Sequence, residues 1–167
     1  MLKDTLVSSG AIKFGKYTTT AGKETDYYID IKKAVTDPRV LKEISKGLSE
    51  YISAKKIAGV ELGSVPLLAA ISLRLEIPYV ILRKEERSHG TKDILIGDVT
   101  LGERIDIIED VVTTGGSVSK AATVLRERGA KVDKVITVVD REDGGSKLLH
   151  SIGVELISLL RASELNP

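Results

Sequence analysis

Cysteine is absent from the 167-residue sequence, and histidine occurs only twice, at His89 and His150. The lack of cysteine excludes disulfide bonds, thiolate catalysis and cysteine-ligated metal sites. With so few histidines, a histidine-rich zinc centre is also not expected. Function classes that depend on thiol chemistry are therefore excluded.

Long apolar runs and a strong net charge are missing as well. No stretch reaches the roughly 18 apolar residues of a transmembrane helix, and residues 1–10 lack the apolar segment of a signal peptide. The formal net charge is only +1, so no overall positive field would recruit nucleic acid. We expect a cytoplasmic protein that binds neither a membrane nor nucleic acid.

What the sequence does contain is an alternation of strand and helix patterns in a chain long enough for one domain. Strands that alternate with helices pair in parallel through right-handed crossovers. The sequence thus predicts an α/β fold with about five parallel strands. Strand patterns lie at 56–62, 78–83, 104–110, 134–140 and 154–160, and helical patterns at 65–76, 116–128 and 144–151.

The first 35 residues follow a different pattern and predict a small N-terminal addition to a core of residues 36–167. A short helix is predicted at 2–9, and β-rich segments at 11–19 and 26–33 predict a hairpin or loosely paired strands. A longer helix should begin at Pro38, with Asp37 as its N-cap. The whole chain, 1–167, is predicted to be a single domain.

Two adjacent acids, Glu109 and Asp110, come at the predicted carboxyl end of an apolar strand. Ligands of open parallel sheets bind at such strand ends. The turn Val112–Ser117 that follows leads into a helix, whose first amides lack an intrahelical partner. Its glycines allow the backbone to wrap closely around a ligand, so that the turn can hold a phosphate.

The turn has neither the lysine of a Walker A loop nor the glycine spacing of a dinucleotide fingerprint. A merely structural strand-to-helix turn is the alternative interpretation. Paired acids beside an apolar strand are costly, however, unless a cationic or hydroxyl group meets them. A ligand with both a phosphate and a diol explains the two features together.

The segment 105–117 resembles the phosphoribosyl-pyrophosphate (PRPP) motif of the type I phosphoribosyltransferases. The resemblance implies their fold, a central, mostly parallel five-stranded sheet flanked by helices, with a small N-terminal hood. It implies that Glu109 and Asp110 bind the ribose hydroxyls and stabilise positive charge on the sugar. The 5-phosphate would be held at Val112, Thr113, Thr114, Gly115, Gly116 and Ser117, and Val111 would also contact PRPP.

The segment Arg83–Asp93, with the sequence RKEERSHGTKD, is similar to the catalytic loop of orotate phosphoribosyltransferases. A solvated surface loop is the ordinary alternative for such a charged run. The resemblance implies that loop 83–95 reaches into the neighbouring site of a homodimer. Four of its side chains would contact pyrophosphate: Arg83, Lys84, Arg87 and His89. Of these, Arg87 and His89 would also be catalytic.

Two further segments resemble the parts of orotate phosphoribosyltransferases that bind the pyrimidine base. The N-terminal segment with Tyr28 and Ile29 would cover orotate, although tyrosines in a strand more often serve packing. Arg141, which follows the strand at 134–140, would hold the pyrimidine together with Thr113. A surface C-cap is the alternative role for this arginine.

The sequence departs from the family pattern at three places. Arg87 stands where lysine is usual, and because arginine stays charged, it cannot act as a proton donor. Leu62 replaces a common aromatic residue and the next position lacks a lysine, which leaves the amides of Gly63 and Ser64 to bind pyrophosphate. Thr20 also stands at a position that is often lysine.

The resemblance implies an orotate phosphoribosyltransferase, which makes orotidine 5-monophosphate and pyrophosphate from PRPP and orotate in the biosynthesis of UMP. It implies Mg²⁺ as cofactor, held mainly by PRPP without a direct protein ligand and with a water-mediated contact to Asp110 as one option. A purine or uracil phosphoribosyltransferase, a PRPP-sensing regulator without catalysis, and a structural subunit of a larger enzyme remain as alternatives.

Overall fold

A computed structural model describes residues 1–19, 22–85 and 93–165. Within these ranges, a two-stranded hairpin precedes a six-stranded sheet. The helices are α1 Leu2–Ser8, α2 Ile31–Ala34, α3 Pro38–Ser49, α4 Val65–Leu75, α5 Gly116–Glu127 and α6 Gly145–Ser151. The strands are β1 Ile12–Thr18, β2 Glu24–Ile29, β3 Ile57–Val60, β4 Tyr79–Leu82, β5 Leu95–Ile96, β6 Asp106–Val112, β7 Lys134–Asp140 and β8 Glu155–Arg161.

The main sheet has the strand order β5-β4-β3-β6-β7-β8. Strands β4, β3, β6, β7 and β8 are parallel to one another, whereas β5 pairs with β4 in the antiparallel direction. The five predicted parallel strands are therefore confirmed. The two-residue strand β5 was not predicted, because two residues are too few to show a periodicity.

Helices cover the sheet on both faces and bury its apolar side chains in two clusters. One cluster packs α3 and α4 against the sheet, through residues such as Ile44 and Leu68. The other packs α5 and α6, through residues such as Leu125 and Leu149. All four residues of β3 are buried, as expected for a central strand with helices on both sides.

The N-terminal strands β1 and β2 form a separate antiparallel pair. The strand predicted over 26–33 is wrong in its second half, where the short helix α2 follows β2. The Asp30 side chain accepts a hydrogen bond from the Lys33 amide at 3.0 Å and caps this helix. An aspartate just before a turn favours helix initiation over a continued strand.

Helix α3 begins as predicted, since Asp37 accepts from the Arg39 amide at 2.9 Å and Pro38 occupies the first turn. Asp106 belongs to β6 and is fully buried. Its carboxylate accepts from the amides of Ser53 and Ala54 at 2.9 and 3.0 Å, which offsets the cost of burial. Within the three described ranges, no helix has both the length and the apolar character needed to cross a membrane.

Candidate active site

The acid pair lies inside strand β6 and not beyond its end. Glu109 and Asp110 are the fourth and fifth residues of β6, which continues to Val112. The prediction that the strand ends at residue 110 is therefore wrong, because Val111 and Val112 continue to pair with β7. Both acids are nearly buried, with 7% and 8% of their surface exposed.

Hydrogen bonds fix both carboxylates. Ser64 Oγ donates to Glu109 Oε1 at 3.0 Å, and the Asp110 amide donates to the same oxygen at 2.9 Å. The Val111 amide donates to Asp110 Oδ1 at 2.8 Å. The pair is thus held rigidly by its own strand and by the residue that precedes α4.

Glu109 has a raised pKa. Burial is the main cause, and a hydrogen bond and the negative charge of Asp110 add to it, so that the pKa of Glu109 rises to about 8. The two neighbouring carboxyl groups therefore favour sharing a proton near neutral pH. A pair of carboxyl groups that shares one proton can accept hydrogen bonds from sugar hydroxyls and can also donate one to them.

A cavity of about 430 Å³ opens beside the acids. It brings together residues from four predicted parts of the site: the acid pair, the turn after β6, the loop after β3 and the start of the charged segment. Three lining residues were not singled out from the sequence: Lys32, Val60 and Glu61. The others are Leu62, Gly63, Lys84, Glu109, Asp110, Val111 and Ser117.

The loop between β3 and α4 presses against the acid pair. A Cβ atom at Gly63 would overlap the Asp110 carboxylate, so only glycine fits there. A cis peptide bond joins Glu61 and Leu62 in the same loop, and the Glu61 carboxylate accepts from the Lys84 amide at 2.9 Å. Ser64 is fully buried, with its hydroxyl on Glu109, so its side chain is not available for a pyrophosphate contact.

The turn after β6 presents free amides, as predicted. Gly115 has a φ of 83°, a left-handed conformation that favours glycine. The Ser119 amide bonds to Gly115 O at 2.9 Å as the first helical hydrogen bond, so the amides ahead of Ser119 are not used by the helix. Thr113, Thr114, Gly116 and Ser117 are exposed and available to a phosphate.

Gly145 supports this turn and was missed by the sequence analysis. Its amide donates to Thr113 O at 3.1 Å, and a Cβ atom at Gly115 would lie 3.0 Å from the Gly145 Cα. The paired glycines at 144 and 145, at the start of the predicted helix 144–151, were the signal that could have indicated a close backbone approach.

A second cavity, of about 370 Å³, shares Val60, Lys84 and Ser117 with the first. It adds Arg83 and, from α5, Lys120, which the sequence analysis did not single out. The Nε atom of Arg83 is buried and has no hydrogen-bond partner among the residues that the structure describes. The described basic side chains Arg83, Lys84 and Lys120 thus meet at this cavity.

The predicted base-binding residues are only partly brought together. Arg141 lies over the ring of Tyr27, with 5.2 Å from Cζ to the ring centroid, and its amide donates to Val112 O at 2.9 Å. Tyr28 is 46% exposed, with its ring centroid 5.6 Å from that of Tyr17. Ile29, in contrast, packs against the core, because neighbouring residues of a strand project to opposite faces.

A third cavity, of about 270 Å³, lies between the hood and the segment after β7, with Tyr27 and Arg141 in its lining. Lys23 Nζ, at the turn between β1 and β2, lies 2.8 Å from Asp143 Oδ1 across this cavity. Arg141 Nε lies 3.8 Å from Asp143 Oδ2, which is an ion pair but too long for a hydrogen bond. Asp143 therefore connects the hood to the arginine of the core.

Three predicted or discussed positions lie outside the described residues. They are Thr20 in the hood, and Arg87 and His89 in the charged segment. Within the described ranges, no group of three or more carboxylate, histidine or cysteine side chains could hold a metal ion.

Proteins with similar sequences belong to the family that the sequence motifs indicate. The family model for the phosphoribosyl transferase domain matches residues 32–154. The orotate phosphoribosyltransferase of Thermoplasma volcanium is 57% identical over 165 residues, with 99% of each chain covered.

Solved structures agree in the same way. The orotate phosphoribosyltransferase of Aeropyrum pernix superposes with a TM-score of 0.89 at 31% identity, covering 99% of this chain and 96% of that one. The Mycobacterium tuberculosis orotate phosphoribosyltransferase in complex with PRPP gives a TM-score of 0.76 at 26% identity, covering 98% and 96%. The chain therefore belongs to the phosphoribosyltransferase family and, within it, to the orotate phosphoribosyltransferases.

Proposed function

We propose that the protein transfers the phosphoribosyl group of PRPP to N1 of orotate, which yields orotidine 5-monophosphate and pyrophosphate for pyrimidine biosynthesis. The observation that carries this proposal is the 430 Å³ cavity, in which the acid pair, the turn after β6 and the loop after β3 meet. The relatives named above act on orotate according to their names, and one of them was solved with PRPP.

In this proposal the 5-phosphate binds the turn Val112–Ser117, whose amides are not used by α5. Val111 and Val112 fix the start of the turn through their pairing with β7. The diol of the ribose binds Glu109 and Asp110. These acids are fixed before the ligand arrives, so they stabilise the positive charge that develops on the sugar without a cost of reorganisation.

The bond between the anomeric carbon and the pyrophosphate oxygen breaks, and orotate N1 forms the new bond to that carbon. The amides of Gly63 and Ser64, together with Arg83 and Lys84, neutralise the leaving pyrophosphate. Arg87 and His89 are proposed to join them from the loop, with His89 as a hydrogen-bond donor. The proton on orotate N1 leaves as the new bond forms and passes to solvent water or to the departing pyrophosphate, so no protein side chain has to act as a strong general base.

Magnesium fits this site as a cation held mainly by the substrate. Mg²⁺ prefers oxygen ligands and keeps several waters, and the nearly buried carboxylates of Glu109 and Asp110 offer oxygens beside the cavity. When bound, the ion would neutralise pyrophosphate charge. Asp110 would contact it through water.

The base is proposed to bind on the side of the hood. Arg141 offers its guanidinium to the anionic pyrimidine, and Thr113 adds a second polar contact. Tyr27, which stacks on Arg141, orients that guanidinium. Tyr28 and Ile29 would cover the base with their backbone, because their side chains lie on opposite faces of β2.

A homodimer, with loop 83–95 reaching into the neighbouring site, is part of the proposal. Helix α4 is apolar on most of its surface, and Leu73 on this helix is 85% exposed. Leu62, beside the active-site cavity, is 67% exposed. Exposed apolar residues of this kind suit a subunit interface. A cytoplasmic location remains a prediction from the sequence.

The test is a pyrophosphate-release assay on the purified protein with PRPP, Mg²⁺ and one base at a time. We expect turnover with orotate and none with uracil, adenine or xanthine. Turnover with a purine or with uracil alone would reassign the substrate. Binding of PRPP without turnover of any base would favour a sensor.

A further inference from the structure

Lys32 lies at the mouth of the active-site cavity and has no role in the mechanism given so far. Its Nζ atom lies 3.4 Å from Asp110 Oδ2. The lysine side chain is 62% exposed, whereas that of Asp110 is only 11% exposed. The exposed ammonium group can therefore leave the carboxylate at a small cost in free energy, because water can replace the contact. The carboxylate itself is held in place by the Val111 amide.

The short helix α2 brings Lys32 to this position. Asp30 caps the helix, and the neighbouring residues Ile31 and Ala34 are buried in the core, so the backbone beneath Lys32 is fixed. Only the flexible side chain of the lysine is free to exchange partners.

The chemistry of the ligand places a second anion next to Asp110. In a ribose 1-diphosphate, the 2-hydroxyl is on the carbon adjacent to the one that carries the diphosphate. A carboxylate that accepts from this diol therefore lies beside diphosphate oxygens. A cation that already contacts that carboxylate needs only a change of side-chain rotamer to reach them.

Among the described residues, the opposite wall of the cavity supplies no positive charge to a bound diphosphate. The loop with Leu62 and Gly63 lines the cavity without contributing a basic side chain, and its Glu61 adds a negative charge. Lys84 is the other basic residue of this lining. A diphosphate would gain most from a second ammonium group on the side of the acid pair.

We propose that Lys32 is a binding residue for the diphosphate of PRPP, which moves its ammonium from Asp110 to the diphosphate oxygens when the substrate binds. The exchange frees Asp110 Oδ2 to accept from the ribose at the same moment. This inference rests on the proposed function, because it assumes that the cavity holds a ribose 1-diphosphate.

The experiment compares two ligands by isothermal titration calorimetry with Mg²⁺ present: PRPP, and ribose 5-phosphate, which has the 5-phosphate and the diol but no diphosphate. The variants are Lys32→Ala and Lys32→Arg, with Lys33→Ala as the matched control on the exposed side of the same helix. Thermal unfolding of each variant verifies that it is folded.

We expect Lys32→Ala to weaken PRPP binding by about 10- to 100-fold, the usual loss for a hydrogen bond to a charged group. Its affinity for ribose 5-phosphate should stay within about twofold of the wild type, because the lost contact is one that only the diphosphate makes. Lys32→Arg should retain most of the PRPP affinity, and Lys33→Ala should bind both ligands like the wild type.

An equal loss for both ligands in Lys32→Ala would overturn the inference and would mean that Lys32 only positions Asp110. Unchanged PRPP binding would also overturn it. A wild-type protein that bound neither ligand would instead refute the proposed function, and the inference with it.

Discussion

At the scale of single residues, the site depends on two acids whose hydrogen-bond and charge partners differ. Glu109 has its carboxyl bound to Ser64 and to a backbone amide, and burial raises its pKa to about 8. Asp110 instead has an ammonium group beside it. The sequence could show two acids after an apolar run, but the burial of Glu109 and the contact of Asp110 with Lys32 depend on residues that are remote in the chain.

The raised pKa of Glu109 predicts that this residue makes folding less favourable as the pH rises. Between its ordinary pKa of 4.5 and the folded value of about 8, the folded protein binds a proton that the unfolded chain has lost. The free energy of unfolding then falls as the pH rises, by up to about 1.4 kcal/mol per pH unit, and levels off above pH 8.

Glu109→Gln should remove this contribution. We expect the variant to gain stability relative to the wild type as the pH is raised from 5 to about 8, measured by chemical denaturation at each pH. Glu127→Gln, on the exposed surface of α5, serves as the control. A constant difference between Glu109→Gln and the wild type over this range would contradict the raised pKa.

Asp110→Asn should lower the turnover with PRPP and orotate by about 100-fold, as for the loss of one preorganised charge contact. The thermal midpoint should change little, because the amide oxygen can still accept from the Val111 amide. Steady-state kinetics and a thermal melt provide the measurements, with the exposed Asp98→Asn as control. Full activity of Asp110→Asn would exclude the proposed ribose contact.

At the scale of elements, the strands and helices of the core were predictable because their periodicities are clear. Errors arose where a few residues decide the outcome. Strand β6 extends to Val112 because β7 pairs with it up to that point, and α2 replaces a strand because Asp30 caps it. Pairing between distant segments sets such ends, and the local sequence does not show that pairing.

The contact between α6 and the turn after β6 is another feature of this scale. A Cβ atom at Gly145 would lie 2.5 Å from Val112 Cγ1 and 2.9 Å from Thr113 O. Gly145→Ala should displace the turn and raise the KM for PRPP about tenfold or more, with a smaller effect on the KM for orotate. Steady-state kinetics with each substrate varied would measure this.

Ser146→Ala, one residue further along α6 and exposed, is the matched control for the Gly145 variant. If Gly145→Ala kept the wild-type KM for PRPP, the turn would not need the support of α6. A loss of folding, detected by circular dichroism, would call for the activity to be compared at a lower temperature at which the variant is folded.

At the scale of the whole molecule, the class of fold was predictable from the alternation of strands and helices and is confirmed. The place of the site, inferred from the run 105–117, stays a prediction. It did not predict the contacts that join the hood to the core. The pairs Lys23–Asp143 and Lys32–Asp110 each connect residues that are far apart in the chain. Which charges meet in this way depends on the packed structure alone.

The proposed homodimer makes a prediction at this scale. Arg87→Ala and Asp110→Asn should each be nearly inactive alone. If loop 83–95 acts in the neighbouring site, random reassociation of the two variants in equal amounts should restore about a quarter of the wild-type sites, because half of the dimers are mixed and each has one intact site. Pyrophosphate release after mild denaturation and refolding of the mixture measures this.

Recovery of no activity in the mixture, with dimers present by gel filtration, would place the loop in its own subunit. A monomer in solution would contradict the proposed assembly itself. Mixing each variant with the wild type provides the reference for complete reassociation.

The position of the acid pair within β6 has a consequence for the design of inhibitors. Because both carboxylates belong to a middle strand of the sheet and are held by backbone amides, they cannot adapt to a misplaced alcohol. A competitor whose ring is locked with its two adjacent hydroxyls already facing this strand would lose little conformational entropy on docking. A flexible acyclic mimic with the same polar groups would lose more conformational entropy on binding, because the carboxylates do not move to meet it.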